Sequence, residues 1–231
     1  MKIIGTGSAL PEQIVTNEDL TKFLDTSDEW IVSHTGIRER RVLDRESVND
    51  IGTLAARRAL EDAGLALEEL DLLICSNVAS DYFTPGPACF IAGALGFSGQ
   101  TLDMNGACTG FLQALDIADA YLRAGKARNV LIVAAEKPSY LADWTDRATC
   151  VLFGDGAGAV VLQNSEPSGC IATCIATQPN EDFLNMPTPA GNCPFTHREG
   201  AGGYLRMNGQ EVYRFAVSSC VRDLRAVCEK A

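Results

Sequence analysis

Asp103-Met-Asn-Gly-Ala-Cys108-Thr-Gly-Phe-Leu-Gln-Ala-Leu115 is the part of the chain that says most about its fold. A short strand, Thr101 to Met104, runs out into a turn of small residues. A helix follows from Thr109, with Phe111, Leu115, Ala118 and Leu122 on one face and Gly125 as a left-handed terminus. A cysteine between strand and helix suits a nucleophile for three reasons. The turn exposes the side chain at the sheet edge, and the helix N-terminus favours thiolate over thiol. The cysteine's own amide is also placed to hold an oxyanion when a thioester carbonyl is attacked. Gly106, Ala107, Thr109 and Gly110 leave room for an acyl chain. Position alone does not separate this reading from one more packed cysteine, because free cysteines usually behave as small hydrophobes.

Outward from this turn, strand and helix alternate. Lys2 to Gly7 reads as a strand and Asn17 to Leu24 as a short helix. Ser47-x-x-Asp50 is a capping pattern for a helix that carries Ile51, Leu54 and Ala55 and stops at Gly64. Leu72 to Ser76 and Asn129 to Ala135 are apolar without alternation, as strands covered on both faces are. Gly158 to Gln163 and Cys170 to Thr177 are further strand candidates, and Gln178 to Gly203 reads as a long loop. The alternation predicts an α/β layered fold with a mainly parallel sheet. From Gln210 a helical stripe of Val217, Val221, Leu224 and Cys228 runs to Ala231 with no stop signal. The expectation is a truncated chain, or one continued by a separate polypeptide.

Composition narrows the function. The net charge of −11 offers no electrostatic basis for holding nucleic acid, although Arg38, Arg40 and Arg41 form either a local basic patch or a solvated loop. No stretch approaches a membrane span and Met1 to Gly7 is too short for a signal-peptide core, so a cytoplasmic protein is expected. Nine cysteines with no C-x-x-C, and two distant histidines, argue against a zinc site or a disulfide framework. Most of the thiols are expected to be reduced and buried. Gly154-Asp-Gly-Ala-Gly158 lacks phosphate-loop spacing and reads as close backbone packing.

Four stretches together resemble the β-ketoacyl-ACP synthase III family. They are the Cys108 turn, Thr26-Ser-Asp-Glu-Trp30-Ile-Val-Ser-His34, Asp81-Tyr-Phe-Thr84-Pro85, and Asp146-Arg147-Ala-Thr-Cys-Val-Leu-Phe153-Gly-Asp-Gly. The resemblance implies a thiolase-like five-layered α-β-α-β-α sandwich, with an N-terminal half complete over residues 1–165 and a C-terminal half begun but incomplete over 166–231. It implies that Cys108 accepts a short acyl group from acyl-CoA and that the acyl-enzyme then condenses with decarboxylating malonyl-ACP in ping-pong order. Thr26, Trp30, His34, Thr84, Arg147, Phe153 and Met207 become candidate CoA or acyl contacts, with Phe153 and Met207 equally readable as plain core. His34 stands where the family often has arginine. An imidazole stacks but lacks the guanidinium's fork of donors, so a changed grip on CoA is expected. No metal or redox cofactor is implied; acyl-CoA and acyl carrier protein are the expected partners, in a homodimer, with neither nucleic acid nor membrane.

The family completes its site with a late histidine and asparagine, and nothing after Gly209 matches their motifs. Thr84 hints at a roomier acyl pocket than a strict acetyl enzyme has. Rival readings are a polyketide or alkylquinolone-type starter synthase, a degradative thiolase, and a half-site chain unable to condense. A hydroxymethylglutaryl-CoA synthase would want a glutamate between Ser76 and Pro85, where only Asp81 is acidic.

Overall fold

The computed structural model describes residues 1–187 and 203–231. In chain order the elements are β1 (Lys2–Ala9), β2 (Ile14–Thr16), α1 (Asn17–Thr21), α2 (Asp28–Thr35), β3 (Glu39–Arg41), α3 (Val48–Ala63) and β4 (Leu72–Ser76). There follow α4 (Pro87–Leu95), β5 (Gln100–Met104), α5 (Gly110–Arg123), β6 (Asn129–Glu136), β7 (Gly156–Gln163), β8 (Leu184–Asn185), β9 (Arg206–Met207) and α6 (Gly209–Lys230). The chain divides into two compact units. The first gathers Met1–Val15, Arg40–Pro138 and Gly154–Thr173; the second gathers Thr16–Glu39, Ser139–Phe153 and Cys174–Ala231.

The first unit is a helix–sheet–helix sandwich. Its five-stranded sheet has the order β1-β7-β6-β4-β5. Every residue of β4 is buried, and successive residues serve opposite layers. Leu73 and Cys75 pack with α3 and α4, and Leu72 and Ile74 with α5. In β6, Leu131, Val133 and Ala135 face the first layer and Val130 and Ile132 the second. This two-sided burial is why both strands read as unbroken apolar runs.

The sheet is mixed, not mainly parallel. β4 runs parallel to β5 and β6, whereas β7 is antiparallel to both β6 and β1. The reason lies in the link between β6 and β7: it returns to the sheet end it left, pairing Glu136 with Gly156, so β7 must run back. Cys170 to Thr177 forms no strand; Ile171 and Ile175 are exposed, and β-branched residues without a ladder partner do not make one.

Local signals were obeyed closely in α3. Ser47 and Asp50 form a reciprocal capping box, and Gly64 closes the helix in the left-handed conformation at φ 60°. α1 is shorter than expected, ending at Thr21. α5 ends at Arg123, with Gly125 two residues beyond at φ 66°. Arg40 is 5% exposed and Arg41 donates to the Pro11 carbonyl, so these two are built into the fold and only Arg38 of the run is exposed. The cysteines also depart from expectation. None of the eight described forms a disulfide, but only Cys75 and Cys150 are buried, and Cys89, Cys108, Cys220 and Cys228 are exposed. Gly154 does pack closely: a Cβ there would meet Arg40 Cβ at 2.9 Å. His197, Cys193 and most of the expected loop from Gln178 to Gly203 lie outside the described residues, while Leu184–Asn185 within that loop pairs with β9.

The β1–α3 contact depends on bare backbone. A Cβ on Gly7 would sit 2.5 Å from Ala59 N and closer still to the Ala55 carbonyl oxygen, whereas one on Gly158 would meet nothing within 4 Å. Gly7→Ala is expected to cost about 1–3 kcal/mol, the usual penalty of overpacking. Gly158→Ala should cost nothing, and urea unfolding of the two variants beside the parent checks the contrast.

Candidate active site

In the first unit β5 ends at Met104 and the chain turns before α5 begins at Gly110. Ala107 sits at φ 44°, in the left-handed region that costs an L-residue about 1–2 kcal/mol. Residues Ala107–Thr109 form one 3₁₀ turn. The Thr109 N–H donates to the Gly106 carbonyl at 3.1 Å, and the Gly110 N–H to the Ala107 carbonyl. The Cys108 amide has no hydrogen-bond partner among the described residues, and its side chain is exposed. A thiol beside an unspent N–H is what attack on a carbonyl needs: a nucleophile and a donor for the oxygen that becomes negative. Gly110 holds the turn close to the sheet, since a Cβ there would run into Ser76 Oγ.

Cys75 is the contrast. Burial, reinforced by the Asp103 and Glu136 carboxylates, pushes its thiol far above the ordinary range and keeps it protonated. Of these two thiols, only Cys108 is open to reagents.

The loop carrying Thr84 is fixed at both ends. Asp81 pairs with Lys137 at 2.7 Å and accepts from the Asn49 N–H at 3.2 Å, so it is engaged in structure and not available as a free acid. Tyr82 stacks on Phe90 with centroids 4.8 Å apart, while Phe83 is fully exposed and Thr84 is exposed beside it. Asp103, at the end of β5, accepts from the Ala88 N–H at 2.8 Å and so caps α4, whose own N-cap residue Gly86 has no side chain to do it.

The second unit gathers a different set. Ser27 caps α2 by accepting from the Trp30 N–H at 3.1 Å. One turn on, His34 stacks on Trp30 with centroids 4.4 Å apart and planes 28° from parallel. His34 Nδ1 lies 2.7 Å from the Trp30 carbonyl oxygen, which only accepts, so Nδ1 carries the proton. That bond and the stack explain the ring's place without a catalytic role. The Arg147 guanidinium lies 4.9 Å from the Trp30 ring centroid and is steadied by the Asp25 carbonyl. Trp30 also lines an open cleft of about 880 Å³ with Ala148, Asp182, Asn185, Arg206, Met207 and Asn208.

The structure therefore brings together Trp30, His34, Arg147 and Met207. Thr26 and Phe153 do not line this cleft, and the Thr26 hydroxyl is buried with no hydrogen-bond partner among the described residues. Cys108 and Thr84 belong to the first unit. Sequence reading missed Asn208 and Arg206 in the cleft, and Asn105 and Gln113 at the turn. Asn208-x-x-Glu211 is a cap signature that was available, and Asn208 does accept from the Glu211 N–H. Among the described residues no cluster of His, Cys, Asp and Glu could hold a metal ion, and no helix is long and apolar enough to cross a membrane.

The mixed sheet covered by helices on both faces, with a cysteine at a strand–turn–helix corner, agrees with a thiolase-like condensing enzyme, an acyltransferase, and comparison with known proteins places the chain in that class. Residues 102–179 match the family model of 3-oxoacyl-[acyl-carrier-protein (ACP)] synthase III. The chain is 44% identical over 232 residues to the β-ketoacyl-[acyl-carrier-protein] synthase III of Clostridium acetobutylicum, covering 99% of this chain and 71% of that protein. The crystal structure of 3-oxoacyl-[acyl-carrier-protein] synthase III from Aquifex aeolicus superposes with TM-score 0.90 at 44% identity, covering 99% of this chain and 71% of the other. The priming β-ketosynthase of the R1128 polyketide pathway is similar at TM-score 0.83 and 33% identity, over 96% and 67% of the two chains. The chain belongs to the β-ketoacyl-[acyl-carrier-protein] synthase III family.

Burial raises the Glu136 carboxyl above the usual glutamate range, partly offset by the Val78 and Ala79 N–H donors. An acid raised in the folded state holds its proton more tightly there than when unfolded. Its contribution to stability is therefore greatest below the ordinary glutamate range and declines as pH climbs through the raised value. Urea midpoints measured from about pH 4 to about pH 7 should fall less steeply in Glu136→Gln than in the parent.

Proposed function

We propose that this protein initiates fatty acid synthesis of the dissociated type by loading a short acyl group from acyl-CoA onto Cys108 and condensing it with malonyl-ACP. The observation that carries the reading is the exposed Cys108 with its unspent amide at the 3₁₀ turn before α5. In the first half-reaction the Cys108 sulfur attacks the thioester carbonyl while the Cys108 N–H holds the oxygen. The carbon–sulfur bond to CoA then breaks, and CoA leaves as its thiol. In the second, malonyl-ACP loses carbon dioxide and the resulting carbanion attacks the acyl-cysteine. The products are 3-oxoacyl-ACP and a free Cys108. Neither half requires a metal or a redox cofactor.

Trp30, Arg147 and His34 are read as the CoA-holding group. The stacked Trp30 and His34 rings supply aromatic surface for adenine, and the Arg147 guanidinium, which lies over Trp30, supplies positive charge for phosphate. The names of the relatives support acyl carrier protein as a partner. The exposed Tyr82–Phe83 segment, followed by Thr84, supports a homodimer; CoA thioesters as substrates support a cytoplasmic site of action. The R1128 priming enzyme keeps a polyketide starter role as the second reading, at lower identity than the fatty-acid relatives.

The test is intact mass before and after incubation with acetyl-CoA and longer acyl-CoAs. One acyl group should add to the parent and none to Cys108→Ala. Absence of any adduct on the parent would sink the reading. Acylation by acetyl-CoA alone would count against a roomy pocket at Thr84. In steady-state loading, Trp30→Ala should raise KM for acyl-CoA about tenfold with a smaller change in kcat, as loss of uniform binding does.

A further inference from the structure

Among the described residues, Ala107 is the one non-glycine residue with positive φ, and it stands immediately before the nucleophile. The peptide plane between residues 107 and 108 carries the Cys108 N–H, so the backbone angles of Ala107 decide where that donor points. An alanine does not stay in the left-handed region unless its surroundings hold it there. Two side chains do so, one on each side of the turn.

On the strand side, Asn105 Oδ1 accepts from the Ala107 N–H at 3.3 Å, closing a side-chain turn over the residue between them. On the helix side, Gln113 Nε2 donates to Thr109 Oγ1 at 2.8 Å. The same Thr109 hydroxyl donates to the Gly106 carbonyl at 3.0 Å. Gly106 is pinned as well, since a Cβ there would lie 2.7 Å from Gly110 Cα and 3.0 Å from Gln113 Oε1. The peptide group between Gly106 and Ala107 is thereby held at both its N–H and its carbonyl.

We propose that Asn105 and Gln113 are positioning residues that clamp Ala107 in its left-handed conformation and so aim the Cys108 amide at the developing oxyanion. This rests on the reading of Cys108 as the acyl acceptor. Neither side chain touches the reacting atoms; both act through the backbone. If the clamp is released, only the bond from the Gly110 N–H to the Ala107 carbonyl still restrains the 107–108 peptide, so Ala107 moves toward negative φ and the Cys108 donor turns from its aim. The sulfur stays exposed. The clamp thus matters for attack on a carbonyl, which builds negative charge on oxygen, and not for alkylation of the thiol, which does not.

That difference supplies the experiment. Single-turnover acylation of Cys108 by acetyl-CoA is followed by mass for the parent, Asn105→Ala, Asn105→Ser and Gln113→Leu. The rate of Cys108 carbamidomethylation by iodoacetamide and the thermal midpoint are measured beside it. Asn105→Ala and Gln113→Leu should each slow acylation about three- to tenfold, the worth of one hydrogen bond, with alkylation rate and midpoint little changed. Asn105→Ser keeps a side-chain acceptor for the N–H two residues on and should recover part of the loss. Undiminished acylation in both Asn105→Ala and Gln113→Leu overturns the proposal, as does an equal fall in acylation and alkylation together with a lowered midpoint. A parent that takes no acyl group overturns the assignment of Cys108 itself, and this inference with it.

Discussion

Two strands buried on both faces, β4 and β6, fix the geometry on which the Cys108 turn depends. Leu72, Leu73 and Ile74 in β4, and Leu131 and Ile132 in β6, are essentially without solvent contact. Each fully buried aliphatic side chain of this kind contributes about 1.5–3 kcal/mol. Burial that complete leaves no freedom of register, because a slip by one residue would exchange the two helical layers. β5 pairs with β4 in parallel, Met104 opposite Ser76. Its exit is therefore held at the same level as the β4 end, and the turn bearing Cys108 starts from a fixed point. Ser76 then limits Gly110 from the other side, so the turn is caught between a strand it leaves and a strand it crosses.

These constraints differ in how far they could be read from sequence. Unbroken apolar runs announced β4 and β6, and Ser47, Asp50 and Gly64 announced both ends of α3, because each signal is local chemistry. The direction of β7 was not legible. Its residues Gly158 to Gln163 look the same whichever way they run, and direction is set by where the 137–155 link returns to the sheet. The same holds for Cys170 to Thr177, whose composition suits a strand but which pairs in no sheet among the described residues. β-propensity describes a surface that fits between neighbours, and without a neighbour it decides nothing.

The site divides along the same line. The turn around Cys108 was visible as a strand-to-helix corner of small residues, and the structure places an exposed thiol there. Trp30 and His34 sit at i and i+4 on α2, so their stack was implicit in helical spacing. The approach of Arg147 to Trp30 and the cleft with Arg206, Met207 and Asn208 join segments more than a hundred residues apart. No periodicity records that. The cysteines misled for a related reason: a preference for burial is an average over proteins, and position on the element overrides it, as exposed Cys89 on α4 and buried Cys75 on β4 show.

Local strain beside a rigid frame is the consequence that bears most on chemistry. A left-handed alanine costs about 1–2 kcal/mol, a sum that a frame with two-sided burial tolerates easily. The unfavourable backbone of Ala107 is then fixed by the frame, and under the proposed function the amide of Cys108 would need no reorganisation when charge develops. Preorganisation of this sort is the larger part of what a protein adds to thioester attack, since the thiol supplies the nucleophilicity by itself. The Trp30 group has a different support. α2 buries only Ile31 and takes its orientation from the Ser27 cap, and β8 and β9 are two residues each. Elements held by caps and single hydrogen bonds open more readily than strands held by a core. The Cys108 turn therefore rests on a buried sheet, and the Trp30 group on short elements fixed by caps and single hydrogen bonds.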